Sequence, residues 1–176
     1  MRLDPIVVVE HDPAWAAAFE RERVRLEAAL SGVLVQPIEH IGSTSIPGLG
    51  AKPIIDAPAV VGRIEDVDAL GFEELVDDWV AAPEPGDVAG RRRSFCSPSV
   101  ERRTHHLHVV EQASDGWRGW LAFRDHLRAN PTVAAEYEAL KRRLADAHGA
   151  DADERQAYRD GKASFIQAVT RTALGD

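Results

Sequence analysis

Apolar residues recur at helical spacing over Trp15, Phe19, Leu26 and Leu30. The run opens on Asp12-Pro13, a side-chain cap followed by a residue whose fixed φ suits a first helical turn, and Ser31-Gly32 closes it. Ahead of it, residues 6–9 form a short apolar run that reads as a strand, ended by Glu10, His11 and Asp12. Residues 34–41 carry β-forming side chains, with Pro37 weakening the strand or placing it at an edge. Residues 42–50 are a loop of Gly, Ser, Thr and Pro. Residues 53–61 are almost wholly apolar except for Asp56, the pattern of a buried strand. Residues 64–79 are predicted helical, with a break near Gly71. Residues 82–90 hold two prolines and two glycines and predict a mobile surface loop.

The second half continues with a short strand at 93–97 and a longer one at 104–111. In the latter, His106, His108 and Val110 alternate against His105, Leu107 and Val109, so the two sets face opposite sides. Helices fill the rest. One spans 117–129 with Trp120, Leu121, Phe123 and Leu127; a second starts at Pro131 and carries Tyr137, Leu140 and Leu144; a third spans 151–174 with Tyr158, Phe165, Ile166 and Val169. Strands mixed with helices first, and helices alone last, predict an α+β (mixed α/β) class: a mixed sheet flanked by helices, in one domain over 1–176.

Composition narrows the function classes. The formal net charge is −8, which repels phosphate backbones and argues against general nucleic-acid binding. A local basic pocket for one nucleotide is still allowed, with Arg91-Arg92-Arg93 and Arg102-Arg103 as candidates. The single cysteine, Cys96, permits no internal disulfide. That suits a reducing, cytoplasmic compartment. No apolar run reaches the ~18 residues of a membrane span, and the N-terminus does not read as a signal peptide.

The candidate chemistry lies in a few places. Gly42 permits a sharp turn, and Ser43, Thr44 and Ser45 with their backbone N–H groups can cradle a phosphate; the alternative is a solvated turn. The Gly-Lys-Ser/Thr ending of a Walker loop is absent. Asp56 stands in an apolar strand, and a buried carboxylate requires a partner. That partner is a ligand, a metal or a structural cation, with Lys52 and His40 nearby in sequence. His106 and His108 share a strand face, where they can ligate a metal or meet a phosphate, or simply be half-buried and hydrogen-bonded. Arg92 or Arg93 could clamp a phosphate, against the alternative of a basic edge. Lys162 on the last helix could point at an anion or into solvent.

Together these segments resemble the GrpB family, whose fold is similar to that of nucleotidyltransferases of the DNA polymerase β type. The likeness rests on His40-Ile41-Gly42-Ser43-Thr44-Ser45-Ile46-Pro47-Gly48-Leu49, Ala51-Lys52-Pro53-Ile54-Ile55-Asp56, residues 92–95 and His105-His106-Leu107-His108-Val109. It extends to Phe123-Arg124-Asp125-His126-Leu127-Arg128 and to Tyr158, Gly161-Lys162 and Phe165-Ile166. The resemblance implies a Gly-Ser pair (Gly42, Ser43) that holds a triphosphate and a carboxylate (Asp56) that binds Mg²⁺ or another divalent ion. It implies Lys52 and Arg93 as phosphate-neutralising cations, and His106 or His108 as acid, base or ligand. The chain departs from the superfamily's Asp-x-Asp pattern, because Pro58 stands two residues after Asp56, and His106 and His108 stand where a third carboxylate is expected. Two-metal transfer needs several carboxylate oxygens. Three expectations follow: an enzyme that transfers a nucleotidyl group to a small molecule or protein side chain, a non-catalytic nucleotide- or anion-binding module, or a partner-binding accessory domain. The last draws on related domains fused to dephospho-CoA kinases.

Overall fold

The Asp12 side chain caps the first helix: its Oδ1 accepts the Ala14 N–H at 2.8 Å. Helix α1 then runs Ala14–Ala29 and buries Trp15, Phe19 and Leu26. In the computed structural model, which describes residues 5–88, 91–114, 116–149 and 154–175, ten further elements follow. They are a 3-10 turn at Ser43–Ser45, β1 (Ile55–Val61), α2 (Ile64–Leu70), α3 (Phe72–Leu75), β2 (Val80–Ala81), β3 (Arg92–Pro98), β4 (Arg103–Glu111), α4 (Gly116–Ala129), α5 (Pro131–His148) and α6 (Arg155–Leu174). No helix among the described residues is long and apolar enough to cross a membrane.

The four strands make one mixed sheet in the order β1-β4-β3-β2. β1 and β4 are parallel, and the other two pairings are antiparallel. The α+β class expected from the chain's pattern is therefore the observed one. Several local expectations are corrected. Residues 6–9 and 34–41 are not ladder strands; they meet their neighbours through isolated bridges at Val9, Leu34 and Ile41. Pro37 removes a donor in the middle of the second segment, so its backbone bonds to β1 near the ends, from Val35 to Val60 and from Ile41 to Asp56. The helix predicted over 64–79 breaks at Gly71 as expected, where the chain turns left-handed (φ 63°), but it stops at Leu75, short of 79. Residues 89–90 of the predicted loop and 151–153 of the predicted last helix lie outside the described residues.

Strand periodicity divides the sheet into unlike faces. Ile55, Ala57, Ala59, Val61, Phe95, Leu107 and Val109 pack with α1, α2 and α3 in the main core. On the other face, register aligns Asp56 with His106 and Cys96, Pro58 with His108 and Ser94, and Val60 with Val110 and Arg92. Near Val60 and Val110 this face is closed by Trp117, Trp120 and Leu121 of α4. A third apolar cluster joins Ile46 and Leu49, just after the 3-10 turn, to α4, α5 and α6. The helical third therefore stands beside the polar half of that face and walls it in.

Candidate functional site

Asp56 is the one residue of β1 that is not fully buried, and its side chain keeps 30% of its exposure. It looks into a cavity of about 190 Å³ lined by Gly42, Ser43, Lys52, His106, Tyr137, Lys141, Tyr158 and Lys162, among others. Gly42 forms the near wall in a left-handed conformation (φ 72°), and a Cβ there would stand 2.7 Å from Asp56 Oδ2. Glycine is needed at this position twice over, for its φ and for the approach of the carboxylate.

His106 Nδ1 lies 2.9 Å from Asp56 Oδ1. Burial pushes the Asp56 carboxyl up, but the hydrogen bond and charge of His106, with the charges of His108 and Lys52, outweigh it and bring Asp56 to about 2. The carboxylate is thus ionised at neutral pH and only accepts, so Nδ1 of His106 carries the proton. In the neutral ring the lone pair then sits on Nε2, a buried atom with no hydrogen-bond partner among the described residues. A second chain of contacts fixes His108. Asp87 accepts from Arg92 Nε at 2.6 Å and from Ser94 Oγ at 3.2 Å. Ser94 Oγ lies 3.3 Å from His108 Nδ1, and since the serine proton points at Asp87, the histidine must donate. Burial holds His108 below its ordinary value. Asp56, His106 and His108 offer ligand atoms within 4.8 Å of one another, a set that could hold a metal ion.

The opposite wall comes from the last two helices. Lys141 and Lys162 each follow a tyrosine by four residues, so each ammonium lies over the ring one turn back, at 5.0 Å from Tyr137 and 4.3 Å from Tyr158. Lys141 also donates to the Gly50 carbonyl. Burial lowers Lys141 to about 7 and Lys162 to about 8, the latter against the attraction of Asp56. Burial raises the Tyr158 phenol to about 12 and holds that of Tyr137 well above its ordinary value.

Of the residues singled out from the sequence, Gly42, Ser43, Lys52, Asp56, His106 and Lys162 meet at this cavity, with His108 beside it. Thr44, Ser45 and Arg93 do not. Thr44 Oγ1 donates to the Ile54 carbonyl and contacts His40, and Ser45 Oγ donates to the Gly42 carbonyl, so both hydroxyls serve the turn itself. Arg93 aligns with Val109, on the opposite sheet face, and pairs with Asp68 of α2 through two bonds of 2.9 and 2.6 Å. Its neighbour Arg92 takes the site face, since successive strand residues alternate. Among the described residues His40 makes no hydrogen bond to Asp56; its ring stacks on Phe19 at 4.7 Å, and burial, against the attraction of Asp56, lowers it to about 4. Sequence reasoning missed Lys141 and Tyr137. The signal was present in the repeated Tyr-x-x-x-Lys spacing, Tyr137 to Lys141 and Tyr158 to Lys162, on two successive helices.

Comparison with known proteins places this geometry. A sequence model of the family described as GrpB protein matches residues 5–172. The chain belongs to the GrpB family. The UPF0157 protein YqkA of Bacillus subtilis is 36% identical over 168 residues, 96% of this chain and 47% of YqkA, so the chain spans about half the length of that relative. The crystal structure of conserved protein GrpB from Enterococcus faecalis is 38% identical, covers 96% of this chain and 98% of its own, and superposes with a TM-score of 0.81. A protein named dephospho-CoA kinase from Mycolicibacterium paratuberculosis matches 78% of this chain with 39% of its length at 31% identity. A more distant likeness, to the structure of the GLD-2/RNP-8 complex, has a TM-score of 0.51 at 12% identity over 93% of this chain and 60% of that one, and bears on the fold alone. The GrpB chain thus shares its α+β fold with that structure.

Proposed function

We propose that the cleft binds the phosphates of a nucleoside triphosphate and transfers its nucleotidyl group to a hydroxyl of a small molecule or protein. The observation that carries this reading is the meeting of Lys52, Lys141 and Lys162 around Asp56 and His106, in a chain of net charge −8. The three lysines give one cleft of an acidic protein a local concentration of positive charge that favours an anion. Gly42 and Ser43 bring backbone to the same cleft.

The acceptor oxygen attacks the α-phosphorus. A P–O bond forms there, the bond to pyrophosphate breaks, and the acceptor's proton passes to Nε2 of His106. Asp56 stabilises the resulting imidazolium through Nδ1–H, and the lysines neutralise the departing pyrophosphate. One carboxylate and two imidazoles suit a borderline ion such as Zn²⁺ better than Mg²⁺, which prefers oxygen donors. Held by Asp56, His106 and His108, such an ion would neutralise phosphate charge in place of the base role of His106, since Nε2 cannot hold an ion and take a proton at once.

Pro58 favours a second reading, a nucleotide-binding accessory module. It is fully buried and aligned with His108, where a second metal-binding carboxylate would otherwise follow Asp56. The relative named dephospho-CoA kinase fits that reading too. Calorimetry with each of the four nucleoside triphosphates, without metal and with Zn²⁺ or Mg²⁺, tests both, together with a pyrophosphate-release assay. Saturable binding and release that is lost in Asp56→Asn is the expected result. Binding without release leaves the accessory module, and no binding to any of the four overturns both.

A further inference from the structure

The inner cavity does not end at His106. It meets an outer chamber of about 350 Å³ that shares Lys52, His106, Tyr158 and Lys162 with it. The outer chamber adds Arg103 from the start of β4 and Arg155 and Arg159 from the first turns of α6, against a single carboxylate, Glu84. The two spaces therefore adjoin with the Asp56-bound imidazole in their shared wall, and both are lined by cations. Arg103 and Arg159 are placed differently from the inner lysines. Arg103 Nε donates to the Val100 carbonyl at 3.0 Å, and an Arg159 nitrogen donates to Gln156 at 2.8 Å, so each guanidinium is oriented by a neutral oxygen and retains its charge and further donors.

We infer that the outer chamber is the acceptor subsite, and that it takes a small molecule carrying both a hydroxyl and a phosphate monoester. This rests on the inner cavity holding the donor triphosphate. The acceptor's phosphate lies against Arg103 and Arg159, which offer planar, forked donors matched to phosphate oxygens. That anchorage directs the hydroxyl end toward the wall that the two spaces share at His106. A neutral acceptor, or the backbone of a long nucleic acid, uses this chamber poorly: the first leaves the arginine charges unanswered, and the second is repelled by a chain of net charge −8.

The test is calorimetry on the full chain with glycerol 3-phosphate as probe and glycerol as its neutral counterpart, each with and without saturating ATP. Glycerol 3-phosphate is expected to bind protein already saturated with ATP, and glycerol is not. Arg103→Ala/Arg159→Ala is expected to weaken glycerol 3-phosphate at least tenfold while changing ATP affinity less than threefold. Arg103→Lys/Arg159→Lys is expected to restore part of the loss, which guards against a folding defect in the alanine pair. ATP binding with no glycerol 3-phosphate binding, or binding that the alanine pair leaves unchanged, overturns the acceptor subsite alone. Competition between glycerol 3-phosphate and ATP for one space also overturns it. Failure of ATP itself to bind overturns the donor reading instead.

Discussion

At the scale of single residues, the site is organised by which atoms have partners and which do not. Asp56 and Asp87 each fix a histidine, one directly and one through Ser94. Two imidazoles are thereby held in the tautomer that leaves Nε2 without its proton. The lysines make the complementary point. Lys162 lies over Tyr158 as a buried ammonium whose pKa burial lowers to about 8, an arrangement that stabilises little by itself. Lys162→Met keeps the stem and the ring contact and removes the buried ammonium. Its expected outcome is a denaturation midpoint equal to or above that of the parent, with ATP affinity lowered tenfold or more. A large loss of stability with unchanged affinity would instead make Lys162 a structural residue.

At the scale of elements, the turn at Ser43–Ser45 and strand β1 are built to touch. The hydroxyls of Thr44 and Ser45 are spent inside the turn, and the Ile41 N–H donates to the Asp56 carbonyl at 2.9 Å. The turn therefore presents Gly42 and Ser43 to the cleft. Gly42→Ala combines an unfavourable positive φ with a Cβ 2.7 Å from Asp56 Oδ2, and a destabilisation of about 1–3 kcal/mol is expected by urea unfolding. Part of that cost is the clash, so in an Asp56→Ala background the same substitution should cost measurably less. Equal costs in the two backgrounds would remove the contact from the account. Register has the same authority over β3. A shift of one residue separates Arg92, bonded to Asp87 beside the histidines, from Arg93, bonded to Asp68 behind the sheet.

At the scale of the whole molecule, the main core fills one face of the sheet, and the other is left half polar between the sheet and the helical third. The price of that division appears in the pH dependence of stability. His40, stacked on Phe19 and buried, is lowered from 6.5 to about 4. The unfolded chain takes up a proton below about 6.5 that the folded chain refuses until about 4, so stability is full above 6.5 and falls as pH drops through that window. The loss from this one ring amounts to roughly 3 kcal/mol at most. His105 and His108, also lowered by burial, act in the same direction. Urea midpoints measured at intervals from pH 7.5 to 4.5 should fall steadily for the parent and less steeply for His40→Gln, which keeps a hydrogen-bonding group for Thr44. Identical slopes would show that His40 is not the group responsible.

The amino-acid sequence by itself determined the α+β class, the helical third, the buried strand that carries Asp56 and the alternation that sets His106 and His108 on one face. These follow from short-range periodicity and from the cost of burying a charge, both of which are local. It also carried the Tyr-x-x-x-Lys spacing on α5 and α6. Only the tertiary structure decided that those two helices turn their lysines toward Asp56, that Thr44 and Ser45 face inward, and that residues 34–41 make bridges in place of a ladder. It also decided that Arg92 and not Arg93 shares the histidines' side. Each of these depends on which partner an element meets across the fold. Partner choice is set by packing between segments far apart in the chain, where no local pattern reaches.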